Sequence, residues 1–114
     1  MVTEKIRELY DRLTGISAGY AVFQRRENTD LVRQELAPVQ EFVTWMMQDN
    51  PLCLDGELHG QACGDLLGVL RDMLEALRQD DKVLMHDAVE YGLLPYLRCF
   101  PEIPGKGGGP DDTV

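Results

Sequence analysis

The side chains best suited to metal chemistry lie between residues 53 and 63. Cys53, His59 and Cys63 follow the pattern Cys-x5-His-x3-Cys. On a helix, His59 and Cys63 would share one face, and Cys53 would reach them from a preceding loop. The pattern matches no standard zinc module, and a free cysteine on an apolar helix face commonly packs in the core. Metal binding is therefore one alternative and buried thiols are the simpler one. A fourth ligand would come from Asp55, His86 or Cys99.

The histidines also invite comparison with histidine phosphotransfer domains, which are acidic helical bundles. Such domains carry a basic side chain shortly after an exposed histidine, where it stabilises the phosphate. Ala62 occupies that position after His59, and Val89 and Glu90 follow His86. Because the stabilising charge is missing, we interpret His86 and Glu90 as a surface pair one helical turn apart. No other motif predicts catalysis, so we expect neither an enzyme nor a bound cofactor.

The composition indicates one acidic domain. The chain has 114 residues and a net charge of −9, from 20 acidic and 11 basic residues. A domain of this length can bury a core without disulfides or metal. An acidic surface repels phosphates and anionic lipids, so we expect neither nucleic-acid nor membrane-surface binding. Three cysteines without a CxxC pair, and no visible signal peptide, predict a cytoplasmic location.

Apolar residues recur with helical spacing from the start of the chain. The first segment carries an unbroken seam at alternating spacings of three and four, formed by Ile6, Leu9, Leu13, Ile16, Tyr20 and Phe23. Only a helix places such a seam on one face. Gly15 and Gly19 lie within it, where each costs about 1 kcal/mol of helix propensity. These two glycines either allow a neighbouring helix to approach closely or are merely tolerated within the helix.

A second amphipathic helix follows the turn Asn28-Thr29-Asp30 and closes at Asp49-Asn50-Pro51. Pro38 lies in its middle, where the missing N–H and the ring disturb the preceding turn. The apolar register continues across Pro38, so we expect a kinked helix. The alternative is a short first piece that ends before the proline.

The second half of the chain predicts two more helices. The third runs over residues 58–79, and Asp80-Asp81 ends it and caps the fourth, which makes the two antiparallel neighbours. The fourth, residues 81–100, is apolar around most of its circumference, so the other helices should surround it. Pro95 predicts a kink or an early stop there.

Together these segments predict an all-α fold, an antiparallel four-helix bundle of two helical hairpins over residues 1–101. Residues 102–114 are rich in glycine and proline and are expected to form a disordered tail. The kinks near Pro38 and Pro95 would either wrap the helices around their neighbours or open a groove for a partner helix. The candidate partner-binding residues are Trp45, Tyr91, Pro95 and Tyr96.

The run D-x-x-E-Y-x-L-L-P-x-L resembles a segment of small uncharacterised helical proteins from Firmicutes-type bacteria. It comprises Asp87, Glu90, Tyr91, Leu93, Leu94, Pro95 and Leu97. The stretches IRELYDRLTGI and FVTWMM are similar to the first two helices of that family, so the likeness covers about residues 6–100. The family has no assigned activity, and the resemblance implies a helical fold and a cytoplasmic location but no site. This chain departs from the family at Arg98-Cys99-Phe100, where the family tends to continue acidic.

The first functional hypothesis is therefore a non-enzymatic helical interaction module with a protein partner. The partner would be either another protein or a second copy of the chain in a homodimer. The alternatives are an acidic chaperone of the flagellar or type III secretion kind, by analogy of size and charge, and a metal-binding protein built on Cys53, His59 and Cys63.

Overall fold

The computed structural model describes residues 1–100, and all of their regular structure is helical. The predicted all-α fold is confirmed. The predicted tail at 102–114 lies outside the described residues. The elements, in chain order, are α1 (Thr3–Ala21), α2 (Asn28–Arg33), α3 (Leu36–Asp49), α4 (Gly56–Gln79), α5 (Lys82–Asp87), a π-helical segment (Ala88–Leu93) and α6 (Leu94–Leu97).

The apolar seam of α1 forms one wall of the core. Ile6, Leu9 and Leu13 are completely buried, as heptad spacing requires of a helix packed on one side. Phe23, the last residue of the predicted seam, lies beyond the end of α1 and is 67% exposed. A Cβ on Gly15 would meet nothing within 4 Å, so this glycine is tolerated rather than needed for a close approach.

The segment around Pro38 differs from the favoured expectation of one kinked helix. α2 ends at Arg33 and α3 begins at Leu36, with a short turn between them. Pro38 is the third residue of α3, within the first turn, where a missing N–H leaves no intrahelical bond unmade. The alternative interpretation, a short first piece that ends before the proline, describes the structure.

The turn between α4 and α5 has the predicted length and cap. Asp80 adopts the left-handed conformation that ends α4, and the carboxylate of Asp81 accepts a hydrogen bond from the N–H of Leu84 at the start of α5. Asn28 and Thr29, predicted as a local turn, instead bond to this region. Thr29 Oγ1 donates to Asp80 Oδ1 over 2.6 Å, and Asn28 Nδ2 donates to the carbonyl oxygen of Lys82 over 2.9 Å.

The last helical run, which consists of α5, the π segment and α6, supplies much of the core. Met85, Leu93, Leu94 and Leu97 are fully buried, whereas Tyr91 is 72% exposed. α4 packs along this run, mainly on the π segment and α5, and α1 packs against the π segment and α6. None of the helices in residues 1–100 combines the length and the apolarity that a membrane crossing requires.

Candidate partner-binding groove

A groove runs between α4 and the end of the last helical run. Its volume is about 420 Å³. α4 provides the floor and one wall, while the π segment and α6 provide the other wall. The lining residues are Gly64, Asp65, Gly68, Val69, Arg71, Asp72, Tyr91, Gly92 and Tyr96.

Gly92 fixes how closely the two walls approach. A Cβ at this position would lie 2.6 Å from Val69 Cγ2, which is far inside van der Waals contact. Only glycine therefore lets the π segment lie this close to α4. The role of Gly92 is to leave room for the side chain of Val69.

The hydroxyl of Tyr96 joins the two walls. Tyr96 Oη donates a hydrogen bond of 2.9 Å to Asp65 Oδ2 on α4. Burial of the ring and this bond to a carboxylate raise the pKa of Tyr96 to about 12. Tyr96 is thus held neutral as a donor, and it positions Asp65 at the edge of the groove.

Tyr91 lines the groove and is largely exposed. The residue is 72% exposed, and its ring lies edge-on to the ring of His86 at a centroid distance of 6.2 Å. Pro95 is exposed as the second residue of α6, directly after the π segment. π-helical turns of this kind are frequent at functional sites. Of the predicted candidates, Tyr91 and Tyr96 line one groove, and Pro95 is not among its lining residues.

Trp45 is placed elsewhere. It lines a shallow surface depression formed by α3 residues alone. Its ring packs on Phe42 and Phe100, at centroid distances of 6.3 Å and 5.4 Å. The sequence predicted Trp45 as a partner-binding residue together with Tyr91 and Tyr96. In the structure, Trp45 is partly buried and packs against the core.

The proposed metal ligands are brought together only in part. His59 Nε2 lies 3.5 Å from Cys63 Sγ, as their helical spacing predicts. The same nitrogen lies 3.0 Å from the carbonyl oxygen of Met47, to which it donates, so it holds a proton and satisfies an otherwise free carbonyl at the end of α3. Cys53 is exposed, and within residues 1–100 no three potential ligands converge on one point.

His86 and Glu90 are not the surface pair that their spacing predicts. Both are half-buried and bond to the buried hydroxyl of Ser17 on α1. Ser17 Oγ donates to Glu90 Oε1 over 2.6 Å and lies 3.3 Å from His86 Nδ1. The hydroxyl of Ser17 thus donates to the carboxylate of Glu90 rather than to His86. These three residues link α1 to the last helical run.

The chain matches no known protein-family model, and no curated protein or solved structure shows significant similarity to it. The resemblance to small bacterial helical proteins therefore stays a prediction.

Proposed function

We propose that this protein is a non-enzymatic helical interaction module of the cytoplasm whose groove between α4 and the π segment binds a basic amphipathic helix. The observation that supports this most is Tyr91, a large aromatic side chain that is 72% exposed on the rim of the groove. Aromatic residues in such positions commonly dominate the affinity of a protein interface.

The shape of the groove favours a helix as its occupant. Gly64 and Gly68 have no side chains to fill it, so an incoming backbone can approach α4 closely. Val69 and the rings of Tyr91 and Tyr96 offer apolar surface along its length. Amphipathic helices bind to grooves of this kind through residues one turn apart.

The charge of the groove and of the chain favours a basic partner. Asp65 and Asp72 line the groove, against the single cation Arg71 among its lining residues. The chain as a whole carries a net charge of −9. Such a field attracts cations over a distance of about 8 Å at physiological salt, so it accelerates the approach of a basic helix.

A titration followed by NMR tests this proposal. The probe is a model helix with leucines on one face and lysines on the other, added to uniformly ¹⁵N-labelled protein. The amides of Gly64, Gly68 and Gly92 should shift together, and Tyr91→Ala should weaken binding by about ten-fold or more. A second helix with glutamates in place of the lysines should not bind.

Phe23→Ala is the matched control for this titration. Phe23 is also an exposed aromatic residue, at 67%, but it lies outside the groove. Its substitution should leave binding unchanged. Amide shifts scattered over the whole acidic surface, or equal affinity for wild type and Tyr91→Ala, would refute the groove as the binding site.

We also propose that the helices form the antiparallel four-helix bundle expected from the sequence, with α2 and α3 together serving as its second arm. The short Asp80-Asp81 turn, which brings α5 alongside α4, supports this arrangement. The packing of α1 against α2 and α3 supports it as well.

A further inference from the structure

The side of α4 that faces away from the core carries exposed leucines. Leu67 is 47% exposed and Leu74 is 44% exposed, seven residues apart on one helix face. With Leu70, Arg71, Glu75 and Arg78 they border a shallow depression on the surface of this helix. We call this surface the outer face of α4. Leucines repeated on the outside of a helix at heptad spacing are typical of a helix that packs against another helix.

The first half of α4 offers the complementary shape. Gly56, Gly60 and Gly64 recur at every fourth position, and a Cβ on any of them would meet nothing within 4 Å. Glycine inside a helix is destabilising relative to alanine. Contacts within one chain therefore give these glycines no role, whereas the close approach of another helix would.

We propose that a second copy of this chain binds the outer face of α4, with the two α4 helices antiparallel and a two-fold axis near Leu67. α4 runs from Gly56 to Gln79, so its midpoint falls between Leu67 and Gly68. An axis there places Leu74 of each copy over Gly60 of the other. The leucine half of each helix packs on the glycine half of its partner, which is the self-complementary arrangement that a two-fold interface requires.

The charges on α4 select the same orientation. Glu57 lies in its first turn and Arg78 in its last turn. An antiparallel pair places each Arg78, which also bonds to Glu75 of its own chain, beside the partner's Glu57 and opposes the two helix dipoles. A parallel pair would place Arg71 and Arg78 next to the same residues of the other copy and would leave the glycine halves facing each other across a gap.

The outer face borders the groove proposed as the site for a basic helix. Arg71 lines both surfaces, and Gly64 lines the groove and also belongs to the glycine half of α4, with Leu74 on one side and Tyr91 on the other. The two proposals are therefore tested at residues that the surfaces do not share. Substitutions of Gly60 or Leu74 test the pairing of copies, and the substitution of Tyr91 tests the groove.

Light scattering on the purified full chain across the micromolar range tests the pairing. Wild type should have twice the 12.9 kDa mass of one chain. Gly60→Leu should give the mass of a monomer with unchanged helical circular dichroism, because its new side chain meets open space within one copy and a clash only in the pair. Leu74→Lys should also give a monomer.

Gly15→Leu is the matched control, because Gly15 is an exposed glycine of α1 whose Cβ would also meet nothing within 4 Å. This variant should remain a dimer. A monomeric wild type, or a Gly60→Leu variant that remains a dimer, would overturn the proposal.

Disulfide cross-linking tests the orientation. In a background carrying Cys53→Ser, Cys63→Ser and Cys99→Ser, the variant Leu67→Cys should form a covalent dimer on mild oxidation. The variant Leu74→Cys should not, because about 21 Å of helix rise separates its two copies in the antiparallel pair. Equal cross-linking at both positions would indicate a parallel pair and contradict the proposed axis.

Discussion

At the scale of single residues, two threonines have opposite hydrogen-bonding environments. Thr29 is completely buried, and its hydroxyl donates to Asp80 and accepts a bond of 2.9 Å from Lys82 Nζ. The hydroxyl oxygen of Thr14 is also buried but has no hydrogen-bond partner among residues 1–100. A buried polar atom stabilises the fold only when it is hydrogen-bonded.

We therefore expect Thr29→Val to lower the free energy of unfolding by about 1–2 kcal/mol, because it breaks bonds to two charged groups. Thr14→Val should be neutral or slightly stabilising, because it removes a hydroxyl that bonds to nothing. Urea denaturation of both variants measures the difference. Equal effects of the two substitutions would contradict this assignment.

The carboxylate of Asp80 predicts a pH dependence of stability. Hydrogen bonds from Lys82 and Thr29 lower the pKa of Asp80 below its ordinary value of 3.8. Since the folded pKa lies below the unfolded one, the carboxylate stabilises the fold above about pH 4 and this contribution is lost as the pH falls through the folded pKa.

Asp80→Asn should accordingly be less stable than wild type at pH 7, and the difference should shrink as the pH falls through the folded pKa of Asp80. Asparagine is a suitable replacement because it tolerates the left-handed backbone, with φ of 52°, found at this position. Urea denaturation across this pH range gives the difference in unfolding free energy. A difference that does not change with pH would show that Asp80 acts through its shape alone.

At the scale of elements, the approach of α4 to the π segment depends on Gly92. Gly92→Ala should lower the free energy of unfolding by about 1–3 kcal/mol, because the new methyl group overlaps Val69. In a Val69→Ala background the same substitution should cost much less, since the overlapping methyl groups are gone. A double-mutant cycle from chemical denaturation measures this coupling.

Gly15→Ala is the control for helix propensity in that cycle. With open space above it, Gly15→Ala should stabilise the protein by about 0.5–1 kcal/mol. If the cost of Gly92→Ala were the same with and without Val69→Ala, the close approach of these two helices would not be its cause.

The elements themselves were largely predictable from local pattern. The seam of α1 and the Asp80-Asp81 turn were predicted correctly because heptad spacing and helix caps act within a few residues. The break before Pro38 was only the alternative prediction. The apolar register continues across the proline, and register alone cannot distinguish a kinked helix from two helices. The π turn before Pro95 has no distinct sequence pattern beyond the proline itself.

At the scale of the whole molecule, Phe100 joins the end of the described chain to α3. It is 6% exposed and lies edge-on to Phe42, at a centroid distance of 6.0 Å, beside Trp45. Phe100→Ala should lower the free energy of unfolding by about 3 kcal/mol through loss of this burial. Because the chain contains 1 tryptophan, its fluorescence reports on this contact, and the emission should shift to longer wavelength.

Phe23→Ala provides the comparison for Phe100→Ala. Phe23 is 67% exposed, so its substitution should change the unfolding free energy by no more than about 0.5 kcal/mol and leave Trp45 emission unchanged. A Phe100→Ala variant with wild-type emission and stability would show that the end of the chain does not pack on α3 in solution.

The sequence by itself determined the helical class and most helix positions, because periodicity and caps depend on neighbours along the chain. It predicted a last helix surrounded by the others, whereas Val83 and Tyr91 are exposed. The tertiary structure decided which surfaces meet. Thr29 bonds to Asp80 across 51 positions, and Ser17 bonds to Glu90 across 73 positions. It also brought Tyr91 and Tyr96 together at one groove and placed Trp45 over the core. No local pattern encodes such pairings, because they arise only when whole helices are packed together.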